Sequence, residues 1–177
     1  MTGFYFNGVH SGTFGIGLTA ISHALKPAKR VTQLAIPNRH GTYDITDNTY
    51  GNITIKLDCV YIGGNFREAA RKIGTWLSGS GELILDTEPD KRYIANAYAG
   101  IETSETGTLT DFTVTFDCQP FALSAIRQQD FIIAGNPESL IVVSGGTMET
   151  PAKIYIKNTG DKNVTGIKIT IKKRCSI

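Results

Sequence analysis

The chain has 177 residues, three cysteines and a formal net charge of +2. A chain of this length can bury a sizeable core without disulfides, and so small a net charge does not favour nucleic acid or an anionic membrane as the main partner. The odd cysteine count and the wide spacing of Cys59, Cys118 and Cys175 exclude a complete disulfide framework and a C-x-x-C site, which favours a reducing compartment. The N-terminus lacks the pattern of an export signal and no apolar run approaches ~20 residues, so we expect neither a cleaved signal nor membrane insertion.

The first fifty residues predict short strands and one loop. Phe4–Phe6 reads as a strand that ends at the turn pair Asn7-Gly8, and the alternating apolar residues of 14–18 predict a second strand. Residues 31–36 predict a third strand, which a proline-containing turn stops. The polar residues 38–51 predict an irregular, protruding loop.

Two later stretches have the strict alternation of half-buried strands. Residues 53–60 and 112–119 both place apolar side chains at every second position, and each carries one cysteine on its apolar face. We therefore predict that the two strands lie side by side in one sheet. Cys59 and Cys118 would then lie near the core as small apolar residues, without a redox or metal role.

Between these strands, residues 65–77 follow a helical period instead. Asn65 is a suitable N-cap, and Gly79 can take the left-handed conformation after the last turn. An apolar stripe runs along one side of this segment, so we predict an amphipathic helix that packs on the two strands. The predicted helix–sheet core consists of Phe66, Ile73, Trp76 and Leu77 from the helix and Ile55, Leu57, Val114 and Phe116 from the strands.

After the helix, residues 82–86 and 92–99 predict a hairpin, and we place a domain boundary after residue 124. The second part, 125–177, predicts further short strands and a turn at Asn158-Thr159-Gly160. The strands are expected at 131–133, 140–143, 152–157 and 164–172. The open edges of so few strands would need cover from further strands or from a neighbouring subunit, so this second part looks incomplete.

No set of residues has the spacing that catalysis or metal binding requires. His10, His23 and His40 lack the i, i+4 spacing of a zinc-protease helix, and the phosphate-loop, dinucleotide and serine-elbow motifs are missing. We therefore predict no catalytic, cofactor or metal site. A hydrolase is a further alternative, in which Asp44, Asp47 or Asp58 would pair with Glu82 or Asp86.

The tyrosines leave one alternative of a different class open. A carbohydrate-binding module that recognises host cell-wall sugars could stack sugar rings on aromatic side chains. The candidates are Tyr43, Tyr50, Tyr61, Tyr93 and Tyr98, with Tyr155 in the second part. Strands are enriched in tyrosine for packing reasons alone, so the pattern also fits core or cross-strand contacts.

Several short motifs follow one another in a fixed order along residues 1–121. They are Phe6-Asn7-Gly8, Phe14-Gly15-Ile16, Ile36-Pro37-x-Arg39-x-Gly41-x-x-Asp44, Trp76-Leu77, Arg92-Tyr93 and Phe116-x-x-x-Pro120-Phe121. In order and spacing they resemble the distal tail protein of long-tailed phages and prophages of Gram-positive bacteria. The chain departs from the expected small or acidic residues beside Arg39, where it has Asn38 and His40.

The resemblance implies a mainly β protein. Its N-terminal part, 1–124, would be a β-sandwich-like domain with one helix, and 125–177 would begin a galectin-like β-sandwich. Six copies of such a protein would close into a ring around the channel for DNA, as a non-enzymatic hub of the baseplate. This hub would lie at the virion tail tip after assembly in the host cytoplasm. Its implied partners are other copies, the tail tube protein, the tail-associated lysin or fibre and receptor-binding proteins.

A ring of identical subunits needs two different faces that fit each other. We predict that residues 36–50 reach onto the adjacent subunit, because their polarity, turn content and length are not required by a monomer core. The predicted interface residues are Ile36, Arg39, His40, Tyr43 and Tyr50.

Overall fold

The computed structural model of the chain describes residues 2–106, 109–125, 130–133, 141–142, 146–148 and 153–171. It divides the chain into two compact units, Met1–Gln129 and Asp130–Ile177. All strands and helices found among the described residues lie in the first unit.

The first unit is mainly β with one α-helix, as predicted. Its strands are β1 (Phe4–Phe6), β2 (Val9–His10), β3 (Ile16–His23), β4 (Lys29–Ala35), β5 (Thr42–Tyr50), β6 (Ile53–Tyr61), β7 (Gly79–Leu85), β8 (Lys91–Ala97), β9 (Thr103–Thr106), β10 (Leu109–Cys118) and β11 (Leu123–Ser124). The helix α1 covers Phe66–Trp76, and a 3-10 helix covers Ser11–Phe14. The predicted hairpin after the helix is present as β7 and β8.

Most strands form one antiparallel sheet in the order β2-β1-β7-β8-β10-β6-β3, with β9 added to β10 and β11 added to β8. The strands β6 and β10 are direct neighbours, so the prediction that they lie side by side is confirmed. Their register places Phe112 opposite Cys59, Val114 opposite Leu57 and Phe116 opposite Ile55. Because opposite residues share a face of the sheet, these side chains form one continuous apolar layer.

The core lies on this apolar layer, beneath the helix. Every second residue of β6 is buried, beginning with Ile53, and the residues between them face outward. The core also contains Phe4 and Phe6 of β1, Leu83 and Leu85 of β7, and Ile73 and Leu77 at the end of the helix. Phe66 and Trp76 are partly buried and pack against this cluster.

The helix begins and ends where its sequence indicates. Asn65 is the N-cap, and its side-chain oxygen accepts a hydrogen bond from the Arg67 amide at 3.1 Å. Leu77 is the C-cap, and Gly79 has a left-handed φ of 80° as predicted. The isolated segment would be marginal as a helix, so its contacts with the sheet stabilise it.

Trp76 connects the helix to the N-terminal segment of the chain. Its ring stacks on Phe4 at 5.5 Å and on Phe14 at 4.8 Å between centroids, and its Nε1 donates a hydrogen bond to the Phe6 carbonyl oxygen at 2.9 Å. Phe14 lies in the 3-10 helix, so the prediction of a strand from residue 14 is wrong at its first residues. The strand begins only at Ile16, because the 3-10 turn first brings the Phe14 ring onto Trp76.

The carboxylate of Asp86 binds the N-terminal segment through Gly3 and His10. Its Oδ2 accepts hydrogen bonds from the Gly3 amide at 2.7 Å and lies 3.2 Å from His10 Nε2. The Asp86 amide donates in turn to the Gly3 carbonyl oxygen at 3.2 Å. His10 Nδ1 accepts from the Gly12 amide at 3.1 Å, so Nε2 is the nitrogen that carries its proton towards Asp86.

Substituting alanine for Asp86 should lower the free energy of unfolding by about 1–3 kcal/mol, because two partly buried donors lose their acceptor. Urea denaturation followed by circular dichroism measures this change. The control is Asp90→Ala, in an exposed turn, which should change stability by less than about 0.5 kcal/mol. Equal effects of the two substitutions would contradict the role of Asp86.

Cys59 and Cys118 are buried in the core, as predicted, with 2% and 0% of their surface exposed. Burial raises the pKa of each thiol to about 12, with a smaller contribution from the neighbouring carboxylates Asp58 and Asp117. The thiolate is the reactive form, so both thiols should be inert in the folded protein.

In a Cys175→Ser chain, we expect no measurable reaction of Cys59 and Cys118 with Ellman's reagent at about pH 8 while the protein is folded, because burial keeps both thiols in the protonated, unreactive form. Both should react in concentrated guanidinium chloride. Rapid labelling of the folded chain would show that this part of the core opens to solvent.

The second unit differs from its prediction in secondary structure. The described parts of 131–133, 140–143, 152–157 and 164–172 contain no strand, and the rest of these segments lies outside the described residues. Alternation supplies β propensity, but a strand also needs a partner in a ladder. The predicted turn at Asn158 is present, since the Asn158 side chain accepts from the Gly160 amide at 3.0 Å and donates to the Lys162 carbonyl oxygen at 2.8 Å. The galectin-like assignment of 125–177 stays a prediction.

Candidate functional site

The strands β4 and β5 pair only with each other among the described residues and form a hairpin, which we call the arm (residues 29–50). The prediction of an irregular loop at 38–51 is wrong, because Thr42–Tyr50 is a strand paired along β4. The segment is nevertheless exposed, as a protruding segment would be: every residue of both strands is exposed except Tyr50, which is half-buried. An isolated two-stranded hairpin is marginal in water, so an arm of this kind gains stability when a partner covers it.

The register divides the arm into an apolar and a polar face. Leu34 lies opposite Tyr43, and Ile45 lies opposite Thr32, so these side chains share one face. About half of the surface of each of Leu34, Tyr43 and Ile45 is exposed, at 51%, 55% and 51%. The other face carries Gln33, Asp44, Thr42 and Thr46, together with Val31 and Ala35. An exposed apolar surface of this kind indicates an interaction site.

The turn of the arm, residues 36–41, presents its polar side chains to solvent. Asn38 and Gly41 have φ values of 61° and 83°, and the Arg39 amide donates to the Ile36 carbonyl oxygen at 3.2 Å. Asparagine and glycine tolerate this left-handed conformation, which explains how the turn forms with Asn38 beside Arg39. Arg39 and His40 are both exposed at this end of the arm.

Near its other end the arm is bent by an irregularity in the pairing. The register shifts between Lys29 and Val31, opposite a left-handed Asn48 with φ of 62°. Asp47 stabilises the bend, since its Oδ1 accepts from the amide and the hydroxyl of Thr49 at 2.9 and 2.6 Å. These hydrogen bonds hold the pKa of the Asp47 carboxyl below its usual value.

The root of the arm rests on the body of the first unit. The half-buried Tyr50 packs edge-on against Phe121 at 5.2 Å, and the Gly51 amide donates to the Ala28 carbonyl oxygen at 2.9 Å. Of the five predicted interface residues, the structure therefore places Tyr50 at the root. Ile36, Arg39, His40 and Tyr43 lie on the exposed part.

Sequence reasoning missed two residues of the apolar face, Leu34 and Ile45. The signal that could have found them is the alternation of Tyr43 and Ile45 with the polar residues of β5, which is the period of a strand. Leu34 joins them only through the cross-strand register, which the sequence alone does not define.

The carboxylates considered for a hydrolase do not converge in the structure. Each has its own polar partner: Asp44 with Gln33, Asp47 with Thr49, Asp58 with Thr113, Glu82 with Arg92 and Asp86 with His10. Within the part of the chain that the structure describes, no group of three or more potential metal ligands is found. No helix in that part has the length and apolar character needed to cross a bilayer.

The tyrosines considered for a sugar platform lie in different environments. Tyr61 and Tyr93 are buried, with 7% and 8% of their surface exposed. Tyr43 lies on the arm and Tyr50 at its root, whereas the exposed Tyr98 shares a hydrogen bond with Ser80 at 2.7 Å. The first unit therefore does not present these five side chains as one platform.

Comparisons with known proteins agree on a class of phage protein. The model of the phage tail protein RIFT-related domain matches residues 12–118. No curated protein matches the sequence. Among solved structures, the chain resembles Dit (gp 19.1) of SPP1, described as a paradigm of the hub adsorption apparatus in phages that infect Gram-positive bacteria.

The likeness to SPP1 Dit has a TM-score of 0.61 and 14% sequence identity, which establishes a shared fold. It covers 70% of this chain and 52% of SPP1 Dit, so the chain spans about half the length of that protein. The resemblance drawn from the motifs of residues 1–121 is thereby confirmed in family and fold. Because the family model covers most of the first unit and more than half of the chain, this protein belongs to the phage tail proteins with a RIFT-related domain and is a structural component of a phage tail.

Proposed function

We propose that the chain is a distal tail protein that closes as a ring of six copies at the tip of the virion tail. The ring joins the tail tube to the tail-associated lysin or fibre, and to receptor-binding proteins where these are present, and it leaves a channel open for DNA. It assembles in the host cytoplasm and performs no reaction of its own.

The observation that carries this proposal is the exposed arm. A two-stranded hairpin with three large apolar side chains exposed on one face is only marginally stable by itself, and its exposed apolar surface favours association with a partner. The shared fold with SPP1 Dit, a protein described as a hub, supports the same reading.

In this proposal the apolar face of the arm binds the adjacent copy. Each subunit offers its arm to one neighbour and receives the arm of the other, which is the heterologous contact that closes a ring. Ile36 and Tyr43 contribute apolar area to the contact, and Arg39 and His40 contribute polar groups at the turn. Tyr50 contributes indirectly, because it anchors the root on Phe121 of its own chain.

Light scattering of the full chain over a range of concentrations tests the proposal. We expect a species of six times the chain mass of 19.2 kDa, formed by the chain alone or after co-expression with the tail tube protein. A mass of one chain at every concentration, with and without the tube protein, would contradict it.

A further inference from the structure

The outward face of the strands β6 and β10 carries three aspartates. The residues that alternate with the buried core positions include Asp58 on β6 and Asp111 and Asp117 on β10, all exposed. Lys56 is the one basic side chain on the outward positions of these two strands. Glu102, just before β9, lines the same surface. We call this surface the acidic face (Lys56, Asp58, Glu102, Asp111 and Asp117).

The acidic face is concave. A depression of about 800 Å³ lies on it, lined by Asp58, Glu102 and Asp111 and by the hydroxyl-bearing residues Thr19, Thr103, Ser104 and Thr113. Asp58 is held in place by the Thr113 hydroxyl, which donates to its Oδ1 at 2.7 Å. Within the part of the chain that the structure describes, β3 ends the main sheet path, so this side of the sheet has an open edge.

The arm has the opposite charge at both of its ends. The turn carries Arg39 and His40 and no carboxylate, and the root carries Lys29 and Arg30, with the Asp47 carboxylate near Arg30. Its two carboxylates already accept local hydrogen bonds, Asp44 from Gln33 and Asp47 from Thr49. An acidic surface attracts only the basic groups of the arm.

A second depression in the surface is less complementary in charge to the basic ends of the arm. It has a volume of about 370 Å³ and lies between α1 and residues 97–103, with mainly apolar residues along it. The exposed side of α1 beside it carries Arg67, Arg71 and Lys72 against a single acidic residue, Glu68. The helix therefore has the same sign of charge as the basic ends of the arm, whereas the acidic face has the opposite sign.

We propose that the acidic face of one subunit receives the turn of the arm from a second copy, with Arg39 placed over Asp58, Glu102 and Asp111. The inference rests on the proposed function, since it names the surface that receives the arm in the ring. Its physical basis is the complementary charge of two different surfaces of the same chain. The apolar side of the arm supplies the buried area, and the charges select the docking position.

Two complementary charge reversals test the pairing. The first chain carries Arg39→Glu on the arm, and the second carries Glu102→Lys and Asp111→Lys on the face, which leaves the hydrogen bond between Asp58 and Thr113 intact. Each chain alone places like charges together at every contact, so we expect self-association to weaken by roughly tenfold or more. In a mixture, native arms meet native faces and reversed arms meet reversed faces, so association should return to about the wild-type level.

Sedimentation velocity of each chain and of the equimolar mixture gives the readout, and circular dichroism checks that every variant is folded. The matched control is Asp90→Lys, which reverses one exposed charge outside the face and should associate like the wild type. Weakening in both single variants with recovery in the mixture supports the docking position. If the wild type associates and the reversals have no effect, or the mixture fails to recover, the docking position is wrong while the ring remains. If the wild type does not associate at any concentration, either alone or with the tail tube protein, the ring itself is wrong.

Discussion

Substituting alanine for Trp76 is expected to lower the free energy of unfolding by about 3–5 kcal/mol, the range for removing a large aromatic side chain from a packed site. The indole ring of Trp76 stacks on Phe4 and on Phe14 and holds the helix on the first strand. The Phe6 carbonyl oxygen also loses its donor. Urea denaturation followed by far-ultraviolet circular dichroism measures the loss, since the variant lacks the only tryptophan.

Two control variants separate the causes. Trp76→Phe keeps an aromatic ring but removes the Nε1 donor. Its loss of unfolding free energy should therefore be much smaller than that of Trp76→Ala. Arg71→Ala changes an exposed residue of the same helix and should alter stability by less than about 0.5 kcal/mol. A loss below about 1 kcal/mol for Trp76→Ala would mean that the helix is held on the sheet mainly by other contacts.

The second large effect should concern assembly and leave the fold intact. Replacing Leu34, Tyr43 and Ile45 together by serine removes the apolar face of the arm, and we expect the self-association constant to fall by roughly a hundredfold or more. The free energy of unfolding of the isolated subunit should change by less than about 1 kcal/mol, because these side chains are about half exposed there. Light scattering and urea denaturation give the two values.

The polar face of the arm provides the matched control. Gln33, Thr42 and Thr46 lie on that face, and changing them together to serine perturbs the same two strands at the same level of exposure. This variant should associate like the wild type. Equal loss of association in both triple variants would indicate that the strand pairing of the arm matters, and would contradict a role for its apolar face.

The sequence was most informative where a repeating pattern met a buried surface. The alternation around Ile55 and Phe116 predicted two neighbouring strands, and the helical period ending at Trp76 predicted the helix between them. In both cases burial of one side demands a strict period. The stacking of Phe14 on Trp76 was not predictable, because a 3-10 turn places it and no period marks such a turn.

The sequence did not predict that the arm is a hairpin, and the reason is again the extent of burial. Among the described residues no element covers Tyr43 or Ile45 completely, and about half of each stays exposed. The residues around them are polar, so the stretch has the composition of a loop. The bend at Asn48 and the register that brings Leu34 beside Tyr43 arise from pairing between strands. The predicted position of the interface at residues 36–50 rested on the polarity, turn content and length of this segment, and it remains a proposal.

Electron cryomicroscopy of the full chain, with and without the tail tube protein, tests most directly whether the subunits form a ring around a central channel. We predict ring-shaped particles of six-fold symmetry with an open centre, in which a hairpin crosses from each subunit to the next. Compact single subunits under both conditions, with the hairpin folded onto its own chain, would contradict the account.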